Sequence, residues 1–355
     1  MDKNRIIVYV TLMIFVLALL FGNLGGITLT VLALAALLVI LWAKRAYFYF
    51  VRANRIYSAK DRSRYPQAMA YYKKTLRAGI SPKYTVLTAT ILIQEGEAEA
   101  GQAALEKLIR DRYITDEAIK GQAKSALSLI YYMKKDYEEA ARLCEEVMKT
   151  KYRDNVLYIN LCTYYLALDH LKSFRKVVEE FSSQRVTSPA LLDLQVVYHM
   201  LSKDFPNAFA MEKALFEKVG RFTFADPYVH MAQLWIHYGK TDEALQMLRR
   251  AIEDVEFRPV TIMSRDFVQA LIDRLEDEQT RAKALADIDS DPLSIINGWL
   301  PQPARVRWIP APEAELEEAC KIEIAAPEEE ILDDKEPETE LTEEDEKWLE
   351  AHKDD

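Results

Sequence analysis

Two apolar runs near the start of the chain constrain its fold more than any other feature. From Ile6 to Phe21 every residue is apolar except Tyr9 and Thr11, and from Ile27 to Ala43 every residue is apolar except Thr28 and Thr30. A single helix through residues 6–43 would be about 57 Å long, nearly twice a hydrocarbon core of about 30 Å. Two helices of about 18 residues fit instead, turning at Asn23-Leu24-Gly25-Gly26, where glycine supplies the positive φ of a tight turn. Lys3 and Arg5 precede the first run, Lys44, Arg45, Arg52 and Arg55 follow the second, and the turn carries no charge. Basic flanks stay on the cytoplasmic side, so a two-span membrane protein with both termini cytoplasmic is expected. A secretory signal is the alternative reading, but no small-x-small cleavage site closes the first run and a second run follows at once.

Beyond these runs the composition points to helices. Only 10 of 355 residues are glycine, and the alternation of β-branched residues that marks strands is rare, so strand-rich folds with many tight turns are disfavoured. Charge is unevenly spread. Pro310–Asp355 holds 20 acidic and 4 basic residues, a net of −16, so the remainder, within a total of −10, is +6. The cysteines at 144, 162 and 320 are odd in number and lack CxxC spacing, which indicates neither a disulfide framework nor a zinc cluster.

The middle of the chain contains an internal repeat. Gly239-Lys-Thr-Asp-Glu-Ala244-Leu-Gln-Met-Leu248-Arg-Arg-Ala251 follows Tyr228, Met231, Ala232 and Trp235; Lys135-Asp136-Tyr137-Glu-Glu-Ala140-Ala-Arg-Leu-Cys144-Glu-Glu-Val147 follows Leu127, Ser128 and Tyr131. This arrangement of large and small residues resembles the tetratricopeptide repeat, in its membrane-anchored bacterial form. The small residue at the twentieth place of that repeat then falls at Ala68, Gly101, Ala140, Ser173, Ala208 and Ala244, with steps of 33, 39, 33, 35 and 36 residues. The Ser173 unit departs from the pattern, with Asn160 and Leu161 where the family has a large and a small residue. Ser81-Pro82, Ser188-Pro189 and Asp226-Pro227 read as helix starts. Because each helix pair leaves an apolar face uncovered, pairs must stack.

The expected fold is all-α: a transmembrane helical hairpin over 1–43, a tetratricopeptide-like α-solenoid over 44–287, an extended Pro/Trp-containing segment over 288–309, and a disordered acidic tail over 310–355. Residues 46–59 are expected to continue the second membrane helix and pack on the helix that follows Pro66.

No reaction chemistry is legible. Gly96-Glu-Ala-Glu-Ala-Gly101 has the glycine spacing of a phosphate loop, but Gln102 and Ala103 stand where Lys and Ser/Thr are required. The five histidines form no HExxH, and His230 and His237 lie two helical turns apart, about 10 Å, too far for one metal. The expectation is a non-enzyme with no cofactor, metal, small-molecule substrate or nucleic acid.

The resemblance implies a concave groove lined by the first helix of each pair. Carried onto this sequence, its places are Gln122, Ser125 and Tyr132; Asn155, Tyr158 and Tyr165; Asp193 and Met200; and Asp226, Gln233 and His237. The basic clamp that some family members use for a C-terminal carboxylate is absent. The tyrosines either line the groove or pack between helices. In the tail, Trp348 and Leu349 give residues 341–352 a small apolar face, either a recognition helix or part of a solubilising tail. The functional expectation is a membrane-anchored cytoplasmic scaffold that binds unidentified protein partners and contacts the lipid bilayer; the alternative is a non-catalytic assembly or regulatory subunit of a membrane complex, its hairpin touching other membrane helices.

Overall fold

The computed structural model describes residues 8–16, 26–183, 188–258, 260, 263–277 and 313–324, and every regular element among them is helical. Two compact units result: Met1–Tyr164 with Arg258–Ile262, and Tyr165–Phe257 with Met263–Asp355.

In the first unit, α1 (Gly26–Ser58) runs unbroken for 33 residues. Its character changes at Ala43. Before it, Val31, Leu34, Leu37, Leu38 and Trp42 are exposed; from it onward Ala43, Ala46, Phe50, Ala53, Ile56 and Tyr57 are buried. The later face packs on α2 (Tyr65–Ala78), as the sequence predicted, with Ala68, Met69 and Tyr72 filling the seam. Among the described residues one helix, Thr30–Ser58, is long and apolar enough to cross a membrane. Residues 8–16 are helical. Of the expected hairpin turn at Asn23-Leu24-Gly25-Gly26, Gly26 is the first residue of α1 and the other three lie outside the described residues.

Helix pairs follow. α3 (Pro82–Gln94) packs on α4 (Ala98–Arg110), both meet α5 (Glu117–Met133), and α5 packs on α6 (Tyr137–Met148). In the second unit, α9 (Pro189–Leu201) pairs with α10 (Phe205–Val219) and α11 (Asp226–His237) with α12 (Thr241–Asp254), which in turn meets α13 (Arg265–Glu276). α7 (Asn155–Ala167) carries the chain from one unit into the other, and α8 (Leu171–Ser182) follows it.

One turn is used again and again within these pairs. Gly96, Lys135, Asp169, Lys203 and Gly239 all have φ between +56° and +84°. Just after each, a backbone N–H reaches back five residues to a carbonyl: Glu97 to Leu92, Asp136 to Tyr131, His170 to Tyr165, Asp204 to His199 and Lys240 to Trp235, at 2.7–2.9 Å. This is a Schellman close, which satisfies the last carbonyls of one helix while reversing the chain into the next.

The turn also fixes the repeat register. Five residues after it stand Gly101, Ala140, Phe174, Ala208 and Ala244, each buried. In the third of these five units the place is therefore held by Phe174, fully buried, and not by the Ser173 expected from sequence. That unit lacks the small residue of close approach, which is why its pattern was weak.

Gly101 shows what a small residue does at this place. A Cβ there would lie 2.8 Å from the Ala89 carbonyl oxygen and 2.8 Å from Ile93 Cγ1. Two helices this close leave no room for a methyl group.

All three expected helix starts are found, at Pro82, Pro189 and Asp226, but only one is capped by the side chain before it. Ser188 Oγ caps α9 by accepting from Leu191 N, whereas Ser81 precedes Pro82 without a side-chain bond, and Asp226 lies inside α11, after Ala225. The acidic tail, expected to be disordered from residue 310, contains α14 (Glu313–Lys321), which packs on α10 in the second unit. Its Ala and Glu residues favour helix, Glu313 and Glu315 suit its first turn and Lys321 its last. Ala319 is buried and Leu316 partly so, in a core with Tyr238 and Phe209, and Lys240 reaches Glu313 at 3.7 Å.

Candidate protein-binding surface

The residues assigned to a groove separate into two groups. In the first unit Gln122 and Asn155 are exposed and Tyr132 is half-buried. Tyr132 stacks on Tyr164, ring centroids 5.4 Å apart, and meets Tyr137 at the same distance. Ser125 and Tyr158 are buried. The Ser125 carbonyl accepts from Ser128 Oγ at 2.6 Å and from Asn160 Nδ2 at 3.2 Å, and Ser128 Oγ pairs with the Tyr164 hydroxyl at 2.9 Å. These polar groups join α5 to α7. Burial raises the Tyr164 hydroxyl well above its ordinary range and pushes the neighbouring Cys144 thiol up to about 12, so neither ionises near neutral pH.

In the second unit Tyr165, Asp193, Met200, Gln233 and His237 are buried and Asp226 is partly so. His237 lies against the Phe205 ring at 3.9 Å, and burial lowers its pKa to about 4. His230, which sequence reasoning left outside the groove, is the partner of Asp193, with Nδ1 2.6 Å from Oδ1. Burial alone would lower the His230 pKa, but the charge and hydrogen bond of Asp193 outweigh it and the net shift is upward. Asp226 is pushed up to about 6, first by burial and then by Asp193. Glu212 of α10 is fully buried, neither carboxylate oxygen has a hydrogen-bond partner among the described residues, and its pKa rises well above the ordinary value through burial and the nearby Asp193. Nothing in the helical periodicity marks Glu212 as buried: Met211, Glu212, Lys213 read as a solvated edge.

The surface that remains available is polar and aromatic. An open depression of about 350 Å³ between α4, α5 and α6 is lined by Tyr131, Leu127 and Ile109 and rimmed by ion pairs. Lys124 meets Glu146 at 2.7 Å; Arg142 meets Glu139 at 2.6 Å and also contacts Glu146. The hydrogen bond from Arg142 lowers the Glu139 pKa, and that from Lys124 lowers the Glu146 pKa. Every carboxylate here is neutralised by a neighbour. Among the described residues no group of three or more His, Cys, Asp or Glu is placed to hold a metal ion. Trp348 and Leu349 lie outside the described residues.

Stacked antiparallel helix pairs joined by one recurring turn define a helical-repeat protein, whose pairs present side chains to partners in place of a single deep pocket. The family model of the tetratricopeptide repeat matches residues 122–153, which run from within α5 through α6 to the loop beyond it. Residues 122–153 thus match one tetratricopeptide repeat. No curated protein matches the chain.

Proposed function

We propose that this chain is a membrane-tethered, non-catalytic scaffold whose tetratricopeptide units bind a protein partner on the cytoplasmic side. The observation that carries the reading is the change of character along α1. Its exposed apolar side chains, Val31 to Trp42, continue without a break into the buried face that packs on α2, so the anchor and the first repeat helix are one element. The apolar part, residues 26–43, is about 27 Å long, close to a hydrocarbon core. Lys44 and Arg45 at its end favour the cytoplasmic side for the repeat. Residues 6–21 supply the first span of the hairpin in this reading.

Partner contact falls to the exposed groove positions Gln122 and Asn155 and to Tyr132, whose ring is already held by Tyr164 and Tyr137 and loses little freedom on binding. The buried places of the same unit, Ser125 and Tyr158, hold the helices that present this surface.

Three measurements test the proposal. Alkaline carbonate should leave the full chain in the membrane pellet, and protease added to right-side-out vesicles should leave the repeat intact. A photoreactive residue at Gln122 or Asn155 should cross-link a partner that one at exposed Tyr113 does not. Release by carbonate, or identical cross-linking from all three positions, overturns it.

A further inference from the structure

Residues 26–94 hold eleven basic side chains and one acidic, Asp61. The fold gathers five of the eleven at one end of the first helix pair. Tyr84, in the first turn of α3, meets Tyr47 at 5.8 Å and Phe50 at 4.9 Å between ring centroids. The turn between α2 and α3 therefore comes down beside Tyr47, about 8 Å along α1 from Trp42. Arg77 and Lys83 flank that turn and are exposed. Lys74, one helical turn earlier, lies over the Tyr71 ring at 5.1 Å and the Tyr49 ring at 6.0 Å.

Lys44 and Arg45 complete the group. The Arg45 guanidinium sits 4.0 Å from the centre of the exposed Trp42 ring and donates to the Trp42 carbonyl at 2.7 Å; Lys44 lies 5.3 Å from the centre of Tyr47. Among the described residues no carboxylate lies within ion-pair distance of Lys44, Arg45, Lys74, Arg77 or Lys83. Cations over aromatic rings, just beyond an exposed apolar stretch, are the side chains that settle at a membrane interface. The headgroup layer extends about 5–8 Å past the hydrocarbon edge, which is the height of this turn above Trp42.

We propose that the turn between α2 and α3 seats on anionic phospholipid headgroups, held by Lys44, Arg45, Lys74, Arg77 and Lys83, with Trp42, Tyr47 and Tyr84 in the interfacial layer. The seat rests on the membrane-tether reading above and adds a lipid class and an orientation to it. It sets the first repeat pair against the bilayer at two points, the emerging α1 and the turn. The occupant is a lipid surface and not free phosphate, because the cations line up beside the apolar stretch instead of converging on one enclosed cleft.

The test uses the full chain purified in detergent, incubated with equal amounts of phosphatidylglycerol and phosphatidylcholine, with retained lipid counted by native mass spectrometry. Phosphatidylglycerol should be enriched at least tenfold, since each basic residue at an anionic surface contributes about fivefold. The triple variant Lys74→Gln, Arg77→Gln, Lys83→Gln should lower that enrichment by at least tenfold, Lys44 and Arg45 remaining, while keeping the native far-UV circular dichroism. The charge-retaining variant Lys74→Arg, Arg77→Lys, Lys83→Arg should keep it, as should Arg62→Gln with Arg64→Gln at the opposite end of α2. Equal retention of the two lipids, enrichment that the triple variant leaves undiminished, or displacement by millimolar inorganic phosphate overturns the proposal. Carbonate extraction of the membranes from which the chain is purified separates the two readings: a chain that stays in the pellet but shows no lipid preference loses only the seat, and a chain that is released loses the tether as well.

Discussion

The close approach of α3 and α4 makes a quantitative prediction at Gly101. Replacing it by Ala removes a poor helix former from the middle of α4, which by itself would stabilise the chain by about 1 kcal/mol. The new Cβ, however, would stand 2.8 Å from the Ala89 carbonyl oxygen and 2.8 Å from Ile93 Cγ1, and Ile93 is fully buried. Neither neighbour can give way cheaply, one being backbone and the other packed on all sides, so the insertion costs about 1–3 kcal/mol. The net expectation is a loss of about 1 kcal/mol, a drop of about 2–4 °C in the melting of a unit of this size. Gly121 is the internal control. Its Cβ would meet the Tyr152 ring at 2.6 Å, but a partly exposed side chain can swing aside, and Gly121→Ala should lose less than Gly101→Ala. Thermal denaturation of the purified chain, followed by far-UV circular dichroism, measures both. A Gly101→Ala variant as stable as the parent would mean that α3 and α4 are not in contact through this residue.

The recurring turn predicts a second pair of changes. Lys135 and Lys203 occupy left-handed backbone, at φ 62° and 61°, that costs a non-glycine residue about 1–2 kcal/mol, so Lys135→Gly and Lys203→Gly should each raise stability by about 0.5–1 kcal/mol in urea titrations while Gly239→Ala lowers it by a similar amount. Glu212→Met should raise the melting temperature of the second unit, because it removes a buried carboxyl without partners worth about 1–3 kcal/mol; a fall would reveal that the carboxyl is satisfied. Asp226 and His230 both hold protons more tightly in the folded chain than in the unfolded one. The stabilisation from Asp226 is complete below its ordinary value of 3.8 and disappears as pH rises through about 6, and that from His230 is likewise lost with rising pH. Asp226→Asn should therefore stabilise the chain at pH 7.5 by several degrees more than at pH 4, roughly, and equal gains at the two pH values would refute the shift.

What the sequence reveals and conceals follows from what periodicity can report. The helix pairs and their turns are legible because a small residue or a glycine must recur where helices cross and chains reverse, as at Gly101, Ala140 and Gly239. Phe174 escapes because the place is filled by a large residue, and the neighbouring Ser173 mimics the expected size. The groove is legible only as helix positions. Asp193, Gln233 and His237 are polar, and polarity reads as exposure, yet the structure encloses all three; Asp193 is held there by His230, 37 residues away, a pairing no local spacing announces. α14 is hidden for the opposite reason. In a run of acidic residues, Leu316 and Ala319 make too narrow an apolar stripe to predict burial, and only the apolar surface of α10 and its neighbours gives them something to cover.

An array of helix pairs needs its ends covered, because each end leaves an apolar face that no further pair will hide. At the amino-terminal end of this array the cover is the second half of α1, where Phe50, Ala53, Ile56 and Tyr57 close the core over Met69, Tyr72 and Leu92. The same helix, one turn before that core, becomes apolar and largely exposed. The exposed apolar half of α1 and the cap are thus one continuous helix, with no break between residues 42 and 46. Separating the two halves requires a cut near residue 44, which keeps Ala46, Phe50 and Tyr57; a cut at residue 60 removes the cap together with the exposed apolar half and leaves Tyr72, now fully buried, facing water.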